Sequence, residues 1–464
     1  MPAETRGAVG KGRRALIWGL GRFGGGLGAL RHLQARGYEI RIMDRLNPSD
    51  LRQELAKVAG LSRMPALLPE RESSLDGIDL LCINPAIPLE HPLLAEAMRR
   101  GIATTQEMDL FLAAYPGRVM GVTGTNGKST TASLMAEGLR ALGRDVLLGG
   151  NIGKSLCLEE SAWRTDQDAV LEISSFQAAR IHTRAFSTLC FTPILRDHVA
   201  WHGSLERYHS DKLRLLDACK PGAPILGLAR CPVLASARAA RPELDIHLLG
   251  SERPTTREDL PRLLEGRGLV QRDELLMSIE AFPLPGYFNR ENLLLALASL
   301  DLGLDEARIA LRGMQAFGGL PHRLAPAGMR QGVRLVDNGV STILETTRLA
   351  LDVLAADLPV GARIHLVLGG KPKEPSLDEA LTLLPGPAAT LHLFGQVGPR
   401  LAALLRDHDL ARPTLSDRPT EALARAFDAA RPGDTVLFSP GFASQDQFPN
   451  FRARAEEALA WWQT

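Results

Sequence analysis

Ten consecutive residues, Gly121-Val122-Thr123-Gly124-Thr125-Asn126-Gly127-Lys128-Ser129-Thr130, set glycines, a lysine and several hydroxyls at the end of the strand-like lead-in Val119-Met120. Backbone N–H groups of such a loop, and of the helix that follows it, point at a polyphosphate. Lys128 neutralises the β/γ oxygens, and the hydroxyl of Ser129 or Thr130 reaches Mg²⁺. Val122 stands where the general pattern has its first glycine. The alternative reading is a chance glycine-rich turn. A second glycine cluster, Gly19-Leu20-Gly21-Arg22-Phe23-Gly24, follows the strand-like Arg14-Ala15-Leu16-Ile17-Trp18 and opens a helix, and Asp44 closes the next strand-like run. A turn of this kind takes a diphosphate on its backbone, and Asp44 a hydroxyl or uracil edge; the competing readings are an NAD fingerprint and tight strand-to-helix packing. Glu172 ends the apolar run Asp168 to Ile173. A carboxylate there is costly unless paired, and Mg²⁺ against the β/γ oxygens offsets that cost; otherwise Glu172 caps a helix.

These groups need a frame, and the sequence supplies alternating strands and helices. Residues 14 to 111 read as a parallel sheet with crossover helices, a second α/β unit starts at Arg118, and a third follows Gly318-Gly319-Leu320-Pro321-His322-Arg323. The stretch from 232 to 280 reads as irregular, with short strands of unassigned order. With 464 residues, 45% hydrophobic and 23% charged, the chain has length for about three domains. The expected class is α/β: a Rossmann-like domain over 1–116, a central P-loop-type domain with a mostly parallel sheet over 117–318, and a C-terminal Rossmann-like α/β domain over 319–464. Fifty-four basic residues against fifty-three acidic ones create no field favouring nucleic acid or an anionic membrane, so anionic ligands must be held by local groups. Five scattered cysteines without a CxxC pair read as reduced core residues of a cytoplasmic protein, and no apolar run suits a membrane span.

The string Gly124-Thr125-Asn126-Gly127-Lys128-Ser129-Thr130 resembles the ATP loop of the Mur ligase family, ATP-dependent amide-forming ligases of peptidoglycan synthesis. Further blocks follow in that family's order. They are Asn84-Pro85-Ala86-Ile87; Gly150-Asn151-Ile152-Gly153; Glu172-Ile173-Ser174-Ser175-Phe176-Gln177; Asp197-His198 with Tyr208 and Lys212; Gly286-Tyr287-Phe288-Asn289-Arg290-Glu291-Asn292; and Ser439 through Phe451. The resemblance implies that Lys128, Glu172, His198 and Lys212 are catalytic, and that ATP contacts residues 124–130, Asn289, Asn292, Arg323 and Asn338. Amides suit a purine's donor/acceptor edge, although Asn289 also reads as a helix N-cap. Two Mg²⁺ ions would be held by Ser129, Glu172, His198 and Lys212, the last as a carbamate that turns a cation into an anion; a solvated lysine is the alternative. A UDP-linked substrate falls to Gly19, Gly21, Arg22, Phe23, Gly24, Asp44, Asn84, Asn151, Ser174 and Gln177. The incoming amino acid falls to Thr342, Lys373, Ser444, Gln445 and Phe451, with Lys373 facing a side-chain carboxylate.

The C-terminal block points within the family to glutamate addition, with UDP-N-acetylmuramoyl-L-alanine and D-glutamate as substrates and a monomeric enzyme. One block departs: where relatives carry NDSKATN, this chain has Asp337-Asn338-Gly339-Val340-Ser341-Thr342-Ile343, so a lysine becomes Val340 and the aspartate is either Asn338 or displaced to Asp337. Lys371, Gly441 and Phe442 depart in the amino-acid region. The alternatives are a sibling ligase adding another amino acid such as L-glutamate, a non-catalytic nucleotide-sensing relative, and an NAD-dependent dehydrogenase that would leave the 124–130 loop unexplained.

Overall fold

The computed structural model describes residues 12–21, 24–56, 64–153, 155–250, 257, 259–373, 377–384, 388–408 and 412–464. The chain forms two compact units, one of residues Met1–Pro283 with Tyr287–Phe317, the other of Leu284–Gly286 with Gly318–Thr464.

The first unit holds three sheets. Strands β1 (Arg14–Trp18), β2 (Glu39–Met43), β3 (Ala66–Leu68), β4 (Leu80–Ile83) and β5 (Ala103–Thr105) form a parallel sheet in the order β3-β2-β1-β4-β5. That is the Rossmann-type order. Its switch point lies between β1 and β4, whose C-terminal ends deliver Gly19 and Asn84, and a ligand crevice belongs there. A second parallel sheet comprises β6 (Arg118–Thr123), β7 (Val146–Gly150), β8 (Asp168–Glu172), β9 (Phe186–Phe191), β10 (Ile225–Leu228) and β11 (Ile246–Leu249), in the order β11-β10-β9-β6-β8-β7. Every residue of β8 is buried, as expected of a parallel strand covered on both faces. The irregular region after residue 232 resolves into a helix, Pro232–Ala240, strand β11, and an antiparallel sheet of β12 (Arg262–Leu264), β13 (Gly268–Gln271) and β14 (Glu274–Ser278).

The second unit is one sheet in the order β15-β16-β20-β17-β18-β19, built from β15 (Ala325–Arg330), β16 (Val333–Asp337), β17 (Ile364–Gly369), β18 (Ala388–Phe394), β19 (Thr414–Ser416) and β20 (Thr435–Gly441). Only β15 pairs antiparallel, so β16, β20 and β17 release their loops at the same edge. All five cysteines are buried free thiols. Among the described residues, no helix is long and apolar enough to cross a membrane.

Candidate functional site

The phosphate-type loop leaves the C-terminal end of β6, flanked by β8 and β9. Threonines tie these ends together: Thr123 Oγ1 donates to Ile173 O at 2.9 Å, and Thr192 Oγ1 to Thr123 O at 3.1 Å. Gly127 caps the helix Lys128–Ala141 at φ 87°, a left-handed conformation that turns the first helical N–H groups into the loop. Lys128 Nζ donates to Thr125 O at 2.6 Å, which holds the ammonium within the loop. Thr125 Oγ1 lies 2.7 Å from Tyr208 Oη.

Glu172 is buried at the end of β8. Its carboxylate receives Ser129 Oγ–H at 2.5 Å on Oε2 and Asn151 Nδ2–H at 2.8 Å on Oε1, both neutral donors. The capping alternative fails: the next helix, Ser175–Ala178, is capped by Ser174. Lys212 does not sit in solvent either. It is 1% exposed, its Nζ donates to Gly124 O at 2.7 Å, and it lies 5.0 Å from the Tyr208 ring centre. Burial first, and then the nearby Lys128 charge, push its amine well below the ordinary lysine range, against the opposing pull of Asp197 and Glu172. His198 caps the short helix Val199–His202 at φ 52°, a left-handed conformation that costs a non-glycine residue free energy. Its Nε2 is 3.3 Å from Asp197 Oδ2 and its ring packs 4.7 Å from that of Phe176. Lys128, Glu172, Asp197 and Lys212 thus share one electrostatic neighbourhood. Among the described residues, no three His, Cys, Asp or Glu side chains gather as a metal cluster.

Asn289 is not an N-cap, because the helix already begins at Tyr287. It is buried in the first turn, where its Oδ1 accepts from Asn292 Nδ2 at 3.2 Å, and Asn292 Oδ1 accepts from Thr131 Oγ1 of the phosphate-loop helix at 3.3 Å.

At the other glycine turn, Gly19 and Gly21 have φ 84° and 71°, and a Cβ on Gly21 would lie 2.5 Å from Asn84 Nδ2, so a side chain there would be strained and would displace Asn84. Asp44 pins this turn: Oδ2 accepts Leu20 N–H at 2.7 Å and Oδ1 accepts Leu46 N–H at 2.8 Å. Gly24 caps the following helix at φ 83°. Arg22 and Phe23 lie outside the described residues. Ser174 and Gln177 form a reciprocal capping box, with Ser174 Oγ accepting Gln177 N–H at 3.2 Å and Gln177 Oε1 accepting Ser174 N–H at 2.9 Å. The loop after β4 meets this region through Trp201 Nε1–H to Ala86 O at 3.0 Å and Arg180 Nη2–H to Ile87 O at 2.5 Å.

In the second unit, Lys373 Nζ donates to Thr342 Oγ1 at 3.3 Å, bringing two expected amino-acid residues together. Ser444 is buried, Gln445 exposed, and Phe451 begins the final helix, Phe451–Gln463, behind the N-cap Asn450. Asn338 spends both ends of its amide internally, accepting Leu324 N–H at 3.2 Å and donating to Ser439 Oγ at 2.9 Å. Asp337 receives His322 Nδ1 at 2.6 Å and Gly339 N–H at 2.8 Å. Arg323 sits between His322 and Leu324, both left-handed at φ 62° and 51°. The sequence reading assigned no role to Tyr208, Arg180 or the His322–Asp337 pair. For Tyr208 the signal was present, since it lies in a matched block; for Arg180, an arginine three residues beyond a strand-end motif gives none.

Two glycine turns at the ends of parallel strands, a strand-end carboxylate and a buried lysine, carried on α/β sheets, are the layout of the Mur ligases, and the chain belongs to that family. Residues 122–300 match the Mur ligase middle domain and residues 13–106 the MurD-like N-terminal domain. The sequence is 34% identical to the UDP-N-acetylmuramoylalanine–D-glutamate ligase of Rubrobacter xylanophilus, covering 96% of this chain and 97% of that one. It is 32% identical to the enzyme of that name from Symbiobacterium thermophilum, covering 95% and 96%. In fold it resembles the UDP-N-acetylmuramate–alanine ligase of Thermotoga maritima, with TM-score 0.61 at 16% identity over 97% of this chain and 99% of that one.

Proposed function

We propose that this chain joins D-glutamate to UDP-N-acetylmuramoyl-L-alanine in the cytoplasm, as a monomer, with ATP converted to ADP and phosphate. The observation that carries this reading is the one-third identity to D-glutamate ligases along nearly the whole chain. The loop of Gly124 to Thr130, with Lys128 held inside it, supports ATP binding. The alanyl carboxylate attacks the γ-phosphate in line, ADP leaves, and an acyl phosphate results. The glutamate amine then adds to the acyl carbon and phosphate departs from the tetrahedral intermediate. Lys128 and the loop N–H groups counter the charge that develops on the transferred phosphoryl group.

Ser129 and Glu172, a hydroxyl against a buried carboxylate whose present donors are both neutral, fit a hard divalent cation, and His198 and a carbamylated Lys212 would complete the set. When bound, Mg²⁺ supplies charge neutralisation at the phosphate oxygens. The depressed affinity of Lys212 for protons supports carbamylation, because only the neutral amine adds CO₂. The carbamate keeps one N–H for Gly124 O. Gly19, Gly21, Gly24, Arg22, Phe23, Asp44, Asn84, Asn151, Ser174 and Gln177 are proposed for the UDP substrate, Asn289, Asn292, Arg323 and Asn338 for ATP, and Thr342, Lys373, Ser444, Gln445 and Phe451 for glutamate. Domain limits near residues 116 and 318 go with this assignment.

A second reading, a sibling ligase taking another amino acid, is favoured by Lys371, Gly441 and Phe442 in the amino-acid region. Phosphate release from ATP with UDP-N-acetylmuramoyl-L-alanine and each amino acid in turn separates the two. D-glutamate alone should release phosphate. Release with L-glutamate or another amino acid instead establishes the sibling, and none with any amino acid overturns both.

A further inference from the structure

Arg454 is fully buried, in the second turn of the final helix, on the stripe it shares with Ala455, Ala458 and Trp462. A guanidinium in a core position is costly unless its donors are satisfied. Here they meet backbone carbonyls: Nη1 donates to Phe442 O at 2.9 Å and Gly369 O at 3.5 Å, and Nη2 to Ser341 O at 3.2 Å and Gly339 O at 3.4 Å. Nε has no acceptor among the described residues. No carboxylate among them forms an ion pair with it; burial lowers the pKa of Arg454 to about 10, with Asp446 opposing through space, which leaves Arg454 charged at neutral pH.

The carbonyls lie at the last residue of β17 and in the loops that leave β16 and β20, so they mark where three neighbouring strands of the sheet release their loops. Those loops carry Thr342, Lys373 and Ser444. Two of them are also laced directly, Lys371 N–H to Ala443 O at 2.7 Å and Ala443 N–H to Lys371 O at 3.1 Å. The approach is close enough that a Cβ on Gly370 would lie 2.9 Å from Arg454 Nη1 and 2.3 Å from Ala443 O. Only a planar fork with donors on both arms grips carbonyls from three loops at once; an ammonium is a single point.

We propose that Arg454 is the positioning residue of the amino-acid subsite, its fork holding the loops around Thr342, Lys373 and Ser444 in register and its charge favouring a substrate with a side-chain carboxylate. This rests on the assignment of those loops to the amino acid. The test compares Arg454→Lys, which keeps the charge, and Arg454→Met, which keeps only volume, with the parent enzyme. Amide hydrogen exchange in the unliganded proteins should show residues 339–342, 369–373 and 442–444 losing protection together in Arg454→Lys while β6 and β8 keep theirs. In steady-state assays the amino-acid KM should rise about tenfold in Arg454→Lys and more in Arg454→Met, with the KM values for ATP and the UDP substrate unchanged. If Arg454→Met does not fold, Arg454→Lys alone is decisive. Equal rises in all three KM values, or undisturbed loop protection, overturn the proposal. The parent enzyme's preferred amino acid is established first. Should that not be D-glutamate, the specificity reading falls, and Arg454 is judged with the amino acid the enzyme does use.

Discussion

Lys128 and Lys212 feel each other's charge, and the proposed mechanism sets them opposite requirements, one as a cation and the other as a neutral amine. Lys128→Ala removes a charge that opposes the developing phosphoryl charge, so turnover should fall roughly a thousandfold. Affinity for the UDP substrate should stay, because the Gly19 to Gly24 turn is built on a different sheet; calorimetry on the variant measures it, and loss of that affinity would contradict separate sites. Lys212→Arg cannot take up CO₂ and should be nearly inactive, whereas Lys212→Ala should recover part of its rate with short carboxylic acids. Full activity of Lys212→Arg ends the carbamate idea. At this scale the sequence was legible for which side chains meet, as with Glu172 and Ser129, which hydrogen-bond to each other. It was illegible for burial: nothing in Tyr-His-Ser-Asp-Lys-Leu distinguishes a solvated lysine from one packed over a tyrosine ring. Arg454 likewise hid in plain view, a charge set on the apolar stripe of its own helix.

Among the elements, the second unit's sheet carries a polar chain that no motif announced. Asp434 Oδ2 sits 3.1 Å from His365 Nε2, Thr390 Oγ1 lies 2.7 Å from His365 Nδ1 and 2.8 Å from His392 Nε2, and Thr414 Oγ1 is 2.9 Å from His392 Nδ1. The hydrogen bonds therefore run without a break from Asp434 through His365, Thr390 and His392 to Thr414. His392 is lowered to about 4 by burial, then by His365 and Arg425. Its ordinary value is about 6.5, so the unfolded chain binds more protons between these limits. Stability is therefore complete above the upper limit and falls with pH through the window, by about 3 kcal/mol in all. Urea unfolding of the parent and of His392→Gln across that range should show a shallower slope in the variant; identical slopes refute the assignment. Strands with continuous apolar runs, such as β8 and β17, were readable from their residues because burial on both faces leaves no alternation to misread. The meander of β12 to β14 was not, since its strands are only three to five residues long and their burial differs from one to the next, fully buried in β13 and partly exposed in β12 and β14, so they share no period.

In the whole molecule the succession of three α/β segments was visible in the alternation of apolar strands and alanine-rich helices, but its one irregularity was not. Leu284–Gly286 belongs with the second unit, although the chain on both sides of it belongs to the first. Leu284 Cδ2 packs 3.2 Å from where a Cβ on Gly319 would stand. Leu284→Ala should weaken the second unit by about 1–2 kcal/mol, less than a fully buried leucine would cost. Hydrogen exchange should report that loss in β16, β17 and β20 and not in β6, β8 and β9; a loss confined to the latter would refute it. The same three residues decide where chimaeras between relatives are joined. A graft of Gly318–Thr464 leaves the host's Leu284 against the donor's Gly319, so its seam runs inside the transplanted unit, and an exchange of the amino-acid subsite proposed for that unit must carry residues 284–286 along with it.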